Sequence, residues 1–345
     1  MRKVEFTIDD IFGDSLNLTL SENEEFQKEE EVVEQQPKLV KVLKDGITIL
    51  DEGLMNDVKR KNLSASMVSG FFQCPADWLM SSFILPKIDH EEPIHFVRGH
   101  IFHNTMETFF SFPKEKRTPK LLSQTAMHVI KTKYKDTLKD PETMKWTKEA
   151  LQGYLAAGFD YANVDVAQIV KSKNKAPEPG LELFVKGKLG NTERNVVGFV
   201  DRIDQLPNGS LQIVDYKTGK KIHPFDPQKP IDDNNDFGYW RQQLAYAMLL
   251  EQDGHYIGGA KLEFPIARDE VIVDVNNEYL REQVKQDFEA VDAALSKCID
   301  ENFFPFKGHF FCKWCGMLSP DYQVSKFGKL NVSWEDVNQY VEFMQ

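Results

Sequence analysis

Two rhythms of apolar and polar positions divide this chain. LELFVKGKL, NVVGFVDRIDQL and SLQIVDYKTG are rich in β-branched residues, alternate with period two and are parted by turn residues, which predicts three strands. AKLEFPI predicts another. Apolar residues at helical spacing mark LSASMVSGFFQCPADWLMSSFIL, where Ser64 or Ser66 serves as N-cap and Pro75 opens a second helix. FVRGHIFHNTMETFFSF, the region from about residue 120 to residue 170, FGYWRQQLAYAMLLEQ and NEYLREQVKQDFEAVDAALSKCIDE predict further helices. LVKVLKDGITIL alternates around Asp45-Gly46 and predicts a small hairpin. Residues 21–37, SENEEFQKEEEVVEQQP, are rich in Glu and Gln and poor in large apolar side chains, and predict a solvated linker that is also able to bind a protein partner. The expected division is an N-terminal extension over residues 1–62, one α/β domain over residues 63–320 and a C-terminal tail over residues 321–345.

Composition narrows the class. With 345 residues, 41% hydrophobic and 28% charged, the chain suits a globular protein with a sizeable core. No apolar run approaches the roughly 20 residues of a membrane span, and the opening MRKVEFTIDDIFGD lacks the layout of a secretion signal, so a cytoplasmic location is expected. Four cysteines do not make a disulfide framework and leave a metal site or buried thiols as readings. The net charge of -12 argues against a nucleic-acid partner, because phosphates are met by Lys and Arg. Its distribution weakens the objection. Residues 1–60 carry 15 acidic and 8 basic side chains, so much of the acidity lies outside the expected domain, and a local basic channel stays compatible with the total.

Strand parity locates candidate chemistry. Along SLQIVDYKTG, Leu211, Ile213, Asp215 and Lys217 project from one face. Pro207-Asn208-Gly209 forms a three-residue hairpin loop, with Gly209 free to take the left-handed conformation. Counting outward from that loop, Asp201 faces Asp215, at a Cβ separation of about 5 Å. Like charges opposed on a half-buried face call for a cation, and oxygen ligands suit Mg²⁺ or Mn²⁺. Asp201, Asp215 and the Tyr216 backbone carbonyl are then candidate metal ligands, and Lys217 the group that orients an attacking water or steadies developing charge. The bland alternative is a surface ion pair between Asp201 and Lys217, with Arg202 and Asp204 solvated beside it.

GFVDRID, a short hairpin, IVDYKTGK and then RQQLAYAMLL resemble the core of RecB-type and CRISPR-associated exonucleases within the PD-(D/E)XK nuclease superfamily. The resemblance runs from about residue 63 to residue 315. It implies a restriction-endonuclease-like core, a mixed central β-sheet flanked by helices with the site at the split end of the sheet. It makes Asp201, Asp215 and Lys217 catalytic, and it assigns Gln242 and Tyr246, four residues apart on one helical face, to the DNA strand. Gly99, His103 and Glu107 match an early-helix element that supplies a metal-binding imidazole with Glu107 in support, and Glu182 matches an acidic position before the hairpin. The implied activity is Mg²⁺- or Mn²⁺-dependent hydrolysis of DNA, as an exonuclease on single strands or ends.

Many relatives also hold an iron–sulfur cluster. Cys74-Pro75 matches its early ligand and Cys312-Lys313-Trp314-Cys315 its close pair, but no later cysteine follows Cys315. A metal-free remnant therefore stands beside a cluster or zinc site completed by Cys298 or His309. Two rivals to the nuclease reading also stand. One is a non-catalytic nucleic-acid-binding or regulatory protein that keeps the fold. The other is a hydrolase of different phosphate esters, which leaves Gln242 and Tyr246 without a role.

Overall fold

The computed structural model describes residues 38–88, 92–170, 176–219, 222, 236–307 and 339–343. Around Asp45-Gly46 the chain forms the expected hairpin, β1 (Val40–Val42) and β2 (Gly46–Ile49), with Val40 opposite Ile49. Asp51 caps α1 (Glu52–Arg60), accepting from Leu54 N at 2.6 Å and so satisfying one of the helix's orphan donors. Ser64 caps α2 (Ala65–Gln73) in the same way, through Met67 N. Cys74 is extended, as the residue before a proline prefers, and Pro75 opens α3 (Pro75–Leu79), where its missing N–H is no loss.

Three longer helices follow: α4 (Ile94–Ser111), α5 (Pro119–Lys133) and α6 (Pro141–Ala156). The helical expectation fails beyond Ala156. There the β-branched residues of NVDVAQIV form β3 (Asp165–Val166) and β4 (Gln168–Ile169), because β7 and β5 offer them backbone partners. The remaining elements are β5 (Glu178–Pro179), β6 (Leu181–Gly187), β7 (Val196–Gln205), β8 (Leu211–Tyr216), α7 (Phe237–Gln252), β9 (Ile257–Phe264), β10 (Asp269–Val273), α8 (Glu278–Asp300), β11 (Phe304–Pro305) and β12 (Val341–Phe343).

The central sheet runs β10-β9-β8-β7-β3, and β6 also pairs with β7. Only β8 and β9 are parallel in it, and α7 is the crossover that such a pair requires. That helix is buried almost all round, with Phe237, Trp240, Leu244, Ala247 and Leu250 among its covered residues. The fold is thus the mixed, helix-flanked α/β sheet expected from the periodicity.

Two cores lie on the two faces of the sheet. β8 feeds both by alternation. Leu211 and Ile213 enter a large core with α2, α7 and α8, whereas Val214 and Tyr216 enter a smaller one with Phe102, Met106, Phe109 and Phe110 of α4 and Tyr154 of α6. A second sheet, β11-β2-β1-β12, joins the N-terminal hairpin to two later segments, and Val40, Ile47, Phe304 and Val341 extend the large core into it. Packing is therefore continuous across residue 63. Among the described residues no helix is long and apolar enough to cross a membrane.

Candidate active site

The hairpin loop between β7 and β8 sets the register of the site. Leu206 N donates to Ser210 O at 2.9 Å, Gly209 takes φ +86, and the Asn208 side chain accepts from Ser210 N at 3.0 Å. From there the ladder runs Gln205↔Leu211 to Arg202↔Val214 and stops one residue short of Asp201 and Asp215. Beyond Arg202 the two strands part. The Asp201 carboxylate fills the opening, with Oδ2 accepting from Tyr216 N at 2.8 Å. A side chain thereby takes the place of a backbone acceptor at the split.

Alternation also breaks here. Leu181 packs with the small core but Leu183 with the large one, and across the ladder Arg202 lies over Phe110 of the small core while Val200 belongs to the large one. Between these pairs sit Glu182 and Asp201. Glu182 absorbs the change with φ +44, a left-handed conformation that costs a non-glycine residue about 1 kcal/mol or more and that recurs at functional sites. One oxygen of Glu182, one of Asp201 and a ring nitrogen of His103 lie within 4.8 Å of one another. His103 arrives from α4, its Nδ1 3.2 Å from Asp201 Oδ2, and its ring meets the Tyr216 ring edge-on. Gly99, one turn earlier, lies beside Thr218, and Glu107, one turn later, is near enough to act on Glu182.

The charges in this cluster do not cancel. Burial alone lowers the affinity of His103 for its proton, but the adjacent Asp201 carboxylate outweighs it and raises the pKa to about 9. Burial works to raise Asp201, yet His103, Lys217 and the Tyr216 N–H hold it below the usual carboxylate range. Glu182 is pushed up to about 7, first by burial and then by Asp201. Burial also raises Asp215, against the pull of Lys217. Three carboxylates and an imidazole that must share protons are a donor set of the kind a hard divalent cation takes, so the residues present fit such an ion.

Lys217 stands beside this cluster with its Nζ 2.7 Å from Asp215 Oδ2. The same Nζ donates to Gln242 Oε1 at 2.9 Å, and Gln242 Nε2 donates to Tyr246 Oη at 3.1 Å. Burial lowers the Lys217 pKa, but Asp215 and Asp201 raise it further, so the ammonium is kept. Gln242 and Tyr246, expected on the DNA strand, lie here behind the lysine. Tyr246 is buried, with its ring against Gly198 where any β-carbon would overlap it.

The bland alternative of a solvated surface pair is corrected by burial. Arg202 is fully buried and Asp204 nearly so. Arg202 Nε and Nη2 donate to the two Asp204 oxygens at 2.9 and 3.0 Å, Nη2 reaches Glu263 Oε1 at 3.4 Å, and Nη1 donates to Tyr216 Oη. The guanidinium lies 4.1 Å from the Phe110 ring centroid. These groups belong to the small core, beside Phe110 of α4 and Tyr154 of α6.

A match to the family model of the PD-(D/E)XK nuclease superfamily spans residues 62–319. The chain belongs to that superfamily. Among curated proteins none matches it. Membership points to a nuclease that uses divalent metal ions on a nucleic-acid substrate. In this PD-(D/E)XK chain the structure brings His103, Glu182 and Asp201 together, with Asp215 paired to Lys217 alongside. Of these, Glu182 carried the least signal, since LELFVKG reads as a regular strand and only the register against β7 sets it beside Asp201.

The cysteines divide. Cys74 and Cys298 are buried free thiols, and Cys298 is pushed up to about 11 by burial and by Glu301, which disfavours the thiolate a metal needs. Cys312, Cys315 and His309 lie outside the described residues, as does the acidic linker of residues 21–37.

Proposed function

We propose that this chain is a Mg²⁺- or Mn²⁺-dependent deoxyribonuclease, acting as an exonuclease on single strands or DNA ends. The observation that carries the reading is the convergence of His103, Glu182 and Asp201 beside the Asp215–Lys217 pair, at the split between β7 and β8. The exonucleolytic part rests on the resemblance to RecB-type and CRISPR-associated enzymes.

His103, Glu182 and Asp201 would hold the cation, with Asp215 and the Tyr216 carbonyl as further oxygen ligands. When bound, the cation supplies Lewis-acid polarisation of a phosphate oxygen and a more acidic water. The side chains do the rest. Asp201 is fixed by the Tyr216 N–H, so its orientation survives the departure of the His103 proton. Lys217, oriented by Asp215 and Gln242, presents a fixed positive charge where negative charge develops on the phosphate. Tyr246 steadies Gln242 and so acts on Lys217 through it.

The test is incubation of end-labelled single- and double-stranded DNA with Mg²⁺ or Mn²⁺, comparing wild type with Asp215→Ala and Lys217→Ala. The expected result is metal-dependent release of short products from an end by the wild type, with each variant slower by at least about a hundredfold. Wild-type protein as inert as the variants, with both metals and both labels, would leave a binding module in place of an enzyme.

A further inference from the structure

β6 and β7 carry a feature next to the site that the chemistry above does not use. Their ladder sets Phe184 opposite Phe199, two residues along each strand from Glu182 and Asp201, which is about 7 Å at the rise of a β-strand. The two rings touch, with centroids 5.2 Å apart and planes at 53°. Both are exposed, Phe184 by 40% and Phe199 by 56%. Their neighbours Leu183, Val185 and Val200 are buried in the large core beneath α7. By alternation the phenyl pair therefore stands on the opposite side of the sheet, where α4 lies and from which His103 enters the cluster. Two residues further along β6, and so on the same face, Lys186, also exposed, pairs with Val197.

A cross-strand aromatic pair by itself only stabilises a sheet. Its place matters more here. The rungs read in order as carboxylates, phenyl rings and then an ammonium group. A single nucleic-acid strand offers the same order outward from a reacting phosphate: that phosphate, a flat base, and the next phosphate. Aromatic faces that stack bases without regard to sequence are a common device of single-strand binding. A duplex would keep its bases paired and present none to the rings.

We propose that Phe184 and Phe199 form a stacking platform for an unpaired base of a single nucleic-acid strand whose neighbouring phosphate sits at His103, Glu182 and Asp201, with Lys186 meeting the following phosphate. The proposal rests on the nuclease reading of that cluster and gives it a substrate class.

The test is fluorescence-anisotropy binding of the full chain, with Ca²⁺ in place of Mg²⁺, to two labelled single strands: oligothymidylate and a strand of equal length whose bases are replaced by abasic sites. Wild type should bind the thymidylate strand at least about fivefold more tightly than the abasic one. Phe184→Ala with Phe199→Ala should lose that margin and leave abasic binding unchanged. Phe184→Tyr with Phe199→Tyr should keep it, which separates loss of stacking from loss of folding. Equal preference in wild type and the double alanine variant would overturn the platform, as would wild type that binds neither strand. So would a double alanine variant that differs only in oligomeric state by light scattering, since the rings would then cover a second copy of the chain. Cleavage of the end-labelled strand is scored separately. A wild type that cleaves without the preference loses the platform alone, and one that shows the preference but fails to cleave with either Mg²⁺ or Mn²⁺ loses the nuclease reading alone.

Discussion

The β7–β8 hairpin carries two polar clusters of similar side chains and different electrostatics. In the one packed on α6, Arg202 and Lys261 meet Asp204 and Glu263, two cations against two buried carboxylates, with Tyr216 and Phe110 packed around the guanidinium and the exposed Glu270 3.4 Å from Lys261. In the one at the split, Glu182, Asp201 and Asp215 meet Lys217 and a histidine that can lose its charge. The first set is balanced within itself and behaves as structure. The second is short of positive charge even with His103 protonated, two cations against three carboxylates, and a divalent cation can supply what is missing. Burial does not separate the two, for both are mostly covered. Balance does.

The largest effect should come from unbalancing the structural cluster. Arg202→Met leaves Asp204 buried without its partner and Glu263 with Lys261 alone, and should destabilise the fold by about 3–5 kcal/mol in urea denaturation. Asp201→Asn, in the other cluster, relieves crowding and should lower stability by far less while abolishing metal-dependent cleavage. If both variants lose similar stability, the contrast between the clusters is wrong.

A second effect follows from protons. In the metal-free protein the raised pKa of His103 means that its pairing with Asp201 contributes fully below pH 6.5 and is lost as pH rises through about 9. Glu182 binds its proton up to about pH 7. A cation needs a neutral imidazole and a charged carboxylate, so binding should release protons and tighten as pH rises across this interval. Calorimetric titration of Mn²⁺ in buffers of different ionisation enthalpy reads the release, and identical heats in all buffers would contradict it.

The smallest effect concerns backbone strain. Glu182→Gly removes the left-handed penalty and one carboxylate from the crowd, and should stabilise the metal-free protein by about 1 kcal/mol. The same variant should lose most of the stabilisation that Mn²⁺ gives the wild type in thermal unfolding. A less stable metal-free variant would mean that Glu182 is held by contacts and not by strain.

Much of this arrangement could be read from residue order. Period-two alternation and the Pro207-Asn208-Gly209 loop were enough to set the register of β7 against β8 as far as Arg202↔Val214, the rung beside Asp201 and Asp215, because a hairpin of known loop length has one register. Helical spacing put Gln242 and Tyr246 on one face, but it could not say that the face turns inward to Lys217, since amide and phenol suit either surroundings. The partners of Arg202 and Asp204 could not be read, because a strand pattern does not show what packs over it, and Phe110 and Tyr154 come from helices far off in sequence. Glu182 hid for a different reason. Its role depends on one unusual φ that no local propensity signals. The two-residue strands β3, β4 and β5 exist only through their partners, so periodicity extended the helix over the first two.

Anomalous scattering from crystals soaked in Mn²⁺ tests the central claim most directly, that the unbalanced cluster holds the ion and the balanced one does not. The account predicts one strong peak in contact with His103, Glu182 and Asp201, and none at Asp204 or Glu263. A peak elsewhere with this cluster empty at saturating Mn²⁺ would contradict it.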